Sequence, residues 1–153
     1  MQSGRRVAID VGSVRIGVAA SDFHAILASG LATVQRTEDF DETLSNLVAQ
    51  VAEAEPVVVY VGLPISLAGR ETASTSDAIA VAKSLRERLS IPVRMVDERL
   101  STVSAAGALR ASKRSSKDGR KIIDQIAATI ILEQAMATEK TNQQWAGESI
   151  DDF

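Results

Sequence analysis

Apolar positions in this chain come first in short strand-length runs and later in helical stripes. Val7-Ala8-Ile9-Asp10-Val11 is one such run, Gly12-Ser13 marks a tight turn, and 16–20 returns alongside it, which predicts a hairpin. After the turn Ser21-Asp22-Phe23-His24, a third strand is predicted over 26–35. A helix starting near Asp39, three residues before Glu42 as a cap would be, carries Phe40, Leu44, Leu47, Val48 and Val51 on one side. Pro56 closes the connection, and the β-branched run 57–61 reads as a fully buried strand. The loop 62–69 leads to a helix with Ala78, Val81, Ala82, Leu85 and Leu89 on one face. A strand over 92–96 then runs into Asp97-Glu98-Arg99. A small-residue helix over 102–109, a basic segment and a long helix from about Gly119 to Ala137 complete the pattern.

This order, βββαβαβ followed by helices, has a definite topological reading. Three strands joined by short turns form an antiparallel meander, and the helix-connected strands add in parallel through right-handed crossovers. The expectation is an α/β fold with a mixed five-stranded, RNase H-like sheet and helices on both faces. The folded domain is expected over 1–137. The polar, acidic remainder, 138–153, is expected to be a flexible tail, with Trp145 docking back onto the domain.

With 153 residues, 45% hydrophobic and 24% charged, the chain is long enough for one self-sufficient core. It has no cysteine, so disulfides, a thiol nucleophile and Cys-ligated zinc are excluded. No apolar run approaches a membrane span, and the first strand follows the N-terminus too closely for a signal peptide, so a cytoplasmic location is expected. The net charge of −3 conceals a basic stretch in which Arg110, Lys113, Arg114, Lys117, Arg120 and Lys121 are opposed only by Asp118. Such a stretch suits nucleic-acid phosphates, although a solvated loop would look the same. Aromatic residues make up only 3%, which leaves no stacking platform for bases, so recognition would rest on backbone and shape.

The carboxylates carry the chemistry. Asp10 interrupts an apolar strand, Asp97-Glu98 ends a late strand, and Asp124 lies on the same stripe of the last helix as Ala127, Ala128, Ile131 and Ala135. An acid in a buried strand is costly unless something positive meets it, though Asp10 could instead form an Asx-type turn with Gly12. Converging acids form an oxygen-rich set suited to Mg²⁺ or Mn²⁺. Two such ions about 4 Å apart activate water and stabilise the leaving oxygen of a phosphodiester. His24, the single histidine, reads as a surface turn residue. Gly62-Leu63-Pro64 lacks the Gly-Lys-Ser/Thr of a Walker A loop. Its glycine serves either packing or the close approach of a nucleic-acid backbone.

Four motifs together carry a resemblance. Asp10-Val11-Gly12-Ser13-Val14-Arg15-Ile16-Gly17-Val18-Ala19, Gly62-Leu63-Pro64, Asp97-Glu98-Arg99-Leu100-Ser101-Thr102 and Asp124-Gln125-Ile126-Ala127-Ala128 with Ile130-Ile131-Leu132 resemble the YqgF/RuvX family. That family comprises pre-ribosomal RNA nucleases, also described as Holliday junction resolvase-like. The resemblance spans about 5–137 and departs from the usual pattern at Gln125, where a small residue is commoner. It implies an RNase H-like fold, metal-dependent phosphodiester hydrolysis and a part in maturing the 5′ end of small-subunit ribosomal RNA. Asp10, Glu98 and Asp124 would then be the catalytic, metal-binding acids. Neighbours on a strand point to opposite faces, so Asp97 and Glu98 are not both expected as ligands. Glu98, with its longer reach at the strand's end, is the choice, and Asp97, a possible ligand, would otherwise hold Arg99 or cap the following helix. Arg15 and Arg99 would be substrate contacts or internal salt-bridge partners, and Lys113, Arg114, Lys117, Arg120 and Lys121 would hold phosphates. Partners would be structured RNA or ribosomal subunit precursors. The alternatives are a junction resolvase on four-way DNA and a non-catalytic ribosome-assembly factor. Both monomer and homodimer fit the sequence.

Overall fold

A computed structural model describes residues 2–66, 68–98 and 117–153, with side chains in the last helix described from Ile122 onward. The elements run β1 (Arg6–Val11), β2 (Arg15–Ser21), β3 (Ala28–Gln35), α1 (Phe40–Glu53), β4 (Val58–Leu63), α2 (Ala73–Arg88), β5 (Val93–Asp97), α3 (Lys117–Asn142), β6 (Glu148–Ser149) and a 3₁₀ turn (Ile150–Asp152). The sheet order is β3-β2-β1-β4-β5-β6. β1 pairs antiparallel with β2 and parallel with β4, so the meander and the parallel additions meet at the central strand that carries Asp10. This is the expected α/β arrangement, with one strand more than the five anticipated.

The sixth strand comes from the segment expected to be a flexible tail. Helix α3 continues past Ala137 to Asn142, where Gln143 (φ 55°) closes it by donating its N–H to the Glu139 carbonyl at 2.7 Å. Glu148 and Ser149 then pair with Met95 and Arg94 at the edge of β5. Ile150 enters the core, and Arg94 donates to the carbonyls of Ala146 and Gly147, which fixes the approach of the segment. The buried Ile150, the Arg94 hydrogen bonds and the edge of β5 together hold this polar segment on the sheet. Trp145 does dock, with its ring 5.3 Å from the Arg6 guanidinium carbon.

Strand β3 begins two residues later than expected because Asp22 claims the preceding amides. Its Oδ1 accepts from Ile26 and Leu27 at 2.7 and 2.8 Å, and its Oδ2 from His24 at 3.2 Å. Those bonds hold its carboxyl below the usual range, the Leu27 contribution being the largest. Asp39 caps α1 as expected, accepting from the amides of Asp41 and Glu42. The reciprocal contact to the Asp39 amide comes from the Thr37 hydroxyl rather than from Glu42.

Alternation along the strands divides the core in two. Val7, Ile9, Val59, Val61, Val93 and Met95 pack with α1 and α2 on one face. Ala8, Ala19, Val58, Tyr60 and Val96 pack with Ala128, Ile131, Leu132 and Ala135 of α3 on the other. No helix among the described residues is long and apolar enough to cross a membrane.

An arginine–carboxylate pair ties α3 to the hairpin at each end. At its C-terminal end, Arg6 and Glu139 are 0% and 1% exposed and meet at 2.9 Å. Tyr60 donates its hydroxyl to Glu139 Oε1 and accepts from the Ala146 amide, while Arg6 also donates to the Gly4 and Gln2 carbonyls. Burial, followed by the hydrogen bond to Glu139, pushes the Tyr60 phenol well above its ordinary value. At the other end Arg15 meets Asp124, close to Asp10.

Candidate active site

Asp10 belongs to the α3 face of β1, because Ala8 two residues before it packs under that helix. Across the hairpin its partner is Gly17. On the other side, Ile9 pairs with Val61, which brings Gly62 beside Asp10. Asp10 is thus flanked by glycine on both neighbouring strands, and each glycine leaves room for another acid. A Cβ built on Gly17 would fall 2.1 Å from the Asp124 carbonyl oxygen, so the glycine lets α3 sit directly on β2. A Cβ on Gly62 would fall 2.3 Å from Glu98 Oε1, so the Glu98 carboxylate occupies the space left by the missing side chain. Gly62 therefore accommodates an acid, a role distinct from both sequence-level readings.

The strand period separates the two acids at the end of β5. Val96 packs under α3, so Asp97 takes the opposite direction, and Glu98 returns to the α3 face with its amide donating to the Leu63 carbonyl at 3.2 Å. Glu98 hydrogen-bonds to Asp10, while Asp97 acts on it only through its charge. Asp10 engages Glu98 rather than forming only an Asx turn with Gly12. Asp124 is near enough for its charge to raise Asp10, and its own Oδ2 accepts from Arg15 Nε at 2.6 Å. The structure thus brings Asp10, Glu98, Asp124 and Arg15 together. Arg99, Lys113 and Arg114, and the small-residue helix expected over 102–109, lie outside the described residues. So do the side chains of Lys117, Arg120 and Lys121.

These acids sit in an electrostatic conflict. Burial, then the charge and hydrogen bond of Asp10, push the Glu98 carboxyl up to about 8. Burial also raises Asp10, the Glu98 hydrogen bond opposing it and the charge of Asp124 adding to it. Glu98 therefore holds a proton at neutral pH and shares it with Asp10. Such crowding of hard oxygen donors is what a divalent cation relieves, so the donor set fits Mg²⁺ or Mn²⁺. Among the described residues no three acids are grouped closely enough to hold a cation, and Asp124 is paired with Arg15.

A pH dependence follows. The ordinary Glu98 value is 4.5, so between about 4.5 and 8 the folded protein holds a proton that the unfolded chain has released. The native state then binds more protons, and stability falls as pH rises through that window and levels off above it. Thermal melts of the cation-free protein from pH 5 to 9 should show this decline, and Glu98→Gln should flatten it. Parallel declines in the two proteins would remove Glu98 as its source.

The two glycines should respond differently to a methyl group. In Gly62→Ala the methyl meets the ends of the Glu98 and Ile131 side chains. Those can yield, at about 1–3 kcal/mol, with Glu98 displaced from Asp10. In Gly17→Ala it meets the backbone of Asp124, so α3 must lift from β2 and the loss should be larger. Denaturant midpoints rank the pair, and a Gly17→Ala midpoint equal to wild type would contradict this packing.

Sequence reading missed the buried pair of Arg6 and Glu139, because each looks like an ordinary surface charge. It also missed Arg36, whose guanidinium meets Asp77 at 2.5 Å and donates to the Gly12 carbonyl at 3.0 Å, bracing the turn between Asp10 and Arg15. Neither carried a signal at the level of spacing.

The family model described as "RuvX: Holliday junction resolvase" matches residues 4–138. A relative from Clavibacter michiganensis subsp. michiganensis, named "Putative pre-16S rRNA nuclease", is 49% identical over 140 residues, covering 92% of this chain and 87% of the relative. A relative of the same name from Leifsonia xyli subsp. xyli is 46% identical over 151 residues, covering 99% and 97%. Among solved structures, Thermus thermophilus RuvC bound to a Holliday junction substrate superimposes with a TM-score of 0.59 at 16% identity, over 95% of this chain and 99% of that one. At that identity the likeness concerns the fold.

Proposed function

The chain belongs to the RuvX family, and from that premise we propose that it is a nuclease processing the 5′ end of precursor small-subunit ribosomal RNA. The single observation that supports the reading is that Asp10, Glu98 and Asp124 lie on one face of the sheet, with Asp10 and Glu98 hydrogen-bonded to each other. These three would hold Mg²⁺ or Mn²⁺, which supplies an activated water and charge stabilisation at the scissile phosphate. With a cation held there, Glu98 would serve as an ionised ligand beside Asp10. Arg15 lies at the rim, and Arg99 with Lys113, Arg114, Lys117, Arg120 and Lys121 would follow the substrate backbone. Asp97 remains a weaker candidate ligand, since its strand turns it toward the opposite face.

The single tyrosine and the single tryptophan lie away from the acids. Tyr60 is buried against Glu139 and Trp145 lies over Arg6, both at the other end of α3 from Asp124. Selection would therefore use the 2′-hydroxyls and helical form of the RNA. The description of the matched family favours a second reading, cleavage of four-way DNA junctions. That activity calls for a homodimer presenting two sites, whereas RNA trimming needs one. The third, a non-catalytic assembly factor, is disfavoured because crowded buried acids cost stability without a cation to use them.

Purified protein with Mn²⁺, assayed on precursor ribosomal RNA and on a four-way junction, tests the proposal. Cleavage of the RNA with little base preference is expected. Junction cleavage with an intact RNA would transfer the assignment to the second reading, and cleavage of neither would favour the third. Replacing Lys113, Arg114 and Lys117 by Gln should also make the salt dependence of RNA binding shallower, by about one unit of log–log slope for each phosphate no longer neutralised. An unchanged slope would mark the segment as a solvated loop.

A further inference from the structure

Arg15 meets Asp124 in a way that sets it apart from the arginine pair at the other end of the helix. Arg6 is fully buried and bonded to Glu139, Gly4 and Gln2. Arg15 and Asp124 are 23% and 18% exposed and joined through Nε alone, at 2.6 Å. Neither Nη group of Arg15 forms a hydrogen bond to a described residue. Four N–H donors on a rim guanidinium thus have no acceptor among the described residues and can take a planar or tetrahedral anion, which arginine does with two parallel bonds.

The contested atom is Asp124 Oδ2. A cation drawing on Asp10, Glu98 and Asp124 competes with the Arg15 guanidinium for Asp124 Oδ2, while Asp10 and Glu98 hydrogen-bond to each other. Once the cation claims Asp124, Arg15 has lost its anion at the rim of the site. A phosphodiester oxygen drawn to the same cation arrives within the range of charge that Arg15 has just vacated.

We propose that Arg15 is an exchangeable counter-ion, neutralising Asp124 in the free protein and passing to a phosphate oxygen of the nucleic acid when a divalent cation takes Asp124. This rests on the reading of Asp10, Glu98 and Asp124 as the cation site. Arg15 then competes with the cation when nucleic acid is absent and assists binding when nucleic acid is present. Its removal should therefore move the two affinities in opposite directions. A fixed structural salt bridge would move neither, or would weaken both by loosening α3.

The test uses wild type, Arg15→Gln, Arg15→Lys and Asp124→Asn, each checked for folding by circular dichroism. Mn²⁺ binding without nucleic acid is read by electron paramagnetic resonance. Binding of a labelled RNA duplex is read by fluorescence anisotropy, with Ca²⁺ in place of Mn²⁺ to hold back cleavage. Arg15→Gln should bind Mn²⁺ about fivefold tighter or more and the duplex about fivefold weaker or more. Arg15→Lys, which keeps the charge without the fork, should stay near wild type for Mn²⁺ and fall between the two for RNA. Unchanged or weaker Mn²⁺ binding in Arg15→Gln, with a clear loss in Asp124→Asn, overturns the exchange and leaves the site reading standing. Unchanged Mn²⁺ binding in Asp124→Asn overturns the site reading, and the exchange with it.

Discussion

Asp10→Asn and Asp124→Asn should each lose cleavage by at least about a thousandfold, corresponding to the ~4 kcal/mol of transition-state stabilisation that a displaced catalytic cation takes with it. The fold should survive both changes. Asp10 lies against Glu98 and near Asp124, burial penalises its charge, and an amide of the same shape removes that penalty. Asp10→Asn should therefore melt at or above the wild-type temperature above pH 8, where Glu98 is ionised in the parent. Asp124→Asn forfeits the partly exposed bond to Arg15 and should cost little. Single-turnover cleavage and thermal melts on the same preparations separate the two effects. Wild-type rates in both variants would remove these acids from the reaction. Comparing Asp97→Asn with Glu98→Gln tests the choice between those neighbours, and equal losses would mean that both are needed.

Glu139→Ala should be the most destabilising single change on the α3 face, at about 3–5 kcal/mol, because it leaves the fully buried Arg6 without its carboxylate. It also removes the acceptor of the Tyr60 O–H and loosens the place where Trp145 and the last strand are anchored. The double variant Arg6→Met with Glu139→Leu should recover most of the stability, since removing both charges removes the uncompensated one. Urea denaturation measures this directly. If Glu139→Ala alone lay within about 1 kcal/mol of wild type, the network would be an ornament of the fold rather than the pin at this end of α3.

The central features were legible because several physical rules agree on them. Asp10 stands out in an apolar strand, strand alternation separates Glu98 from Asp97, and helical period puts Asp124 on the stripe of Ala128 and Ile131. The features that escaped depend on contacts between residues far apart in the chain. Arg6 and Glu139 are 133 residues apart and read as solvent-facing until the sheet and helix bring them into one buried pocket with Tyr60. Strand β6 spans two residues in a polar stretch, too short for a periodic signal, and only the free edge of β5 gives it a partner. For Gly62 the sequence suggests packing or the approach of a nucleic-acid backbone, because nothing local reveals that a carboxylate from another strand fills its missing side chain.

The measurement that bears most directly on the account is the position of bound Mn²⁺ in crystals of the protein, located from its anomalous scattering. Density is expected between Asp10, Glu98 and Asp124, with the Arg15 guanidinium drawn away from Asp124 Oδ2. Density elsewhere, or none at Mn²⁺ concentrations that support cleavage, would contradict it.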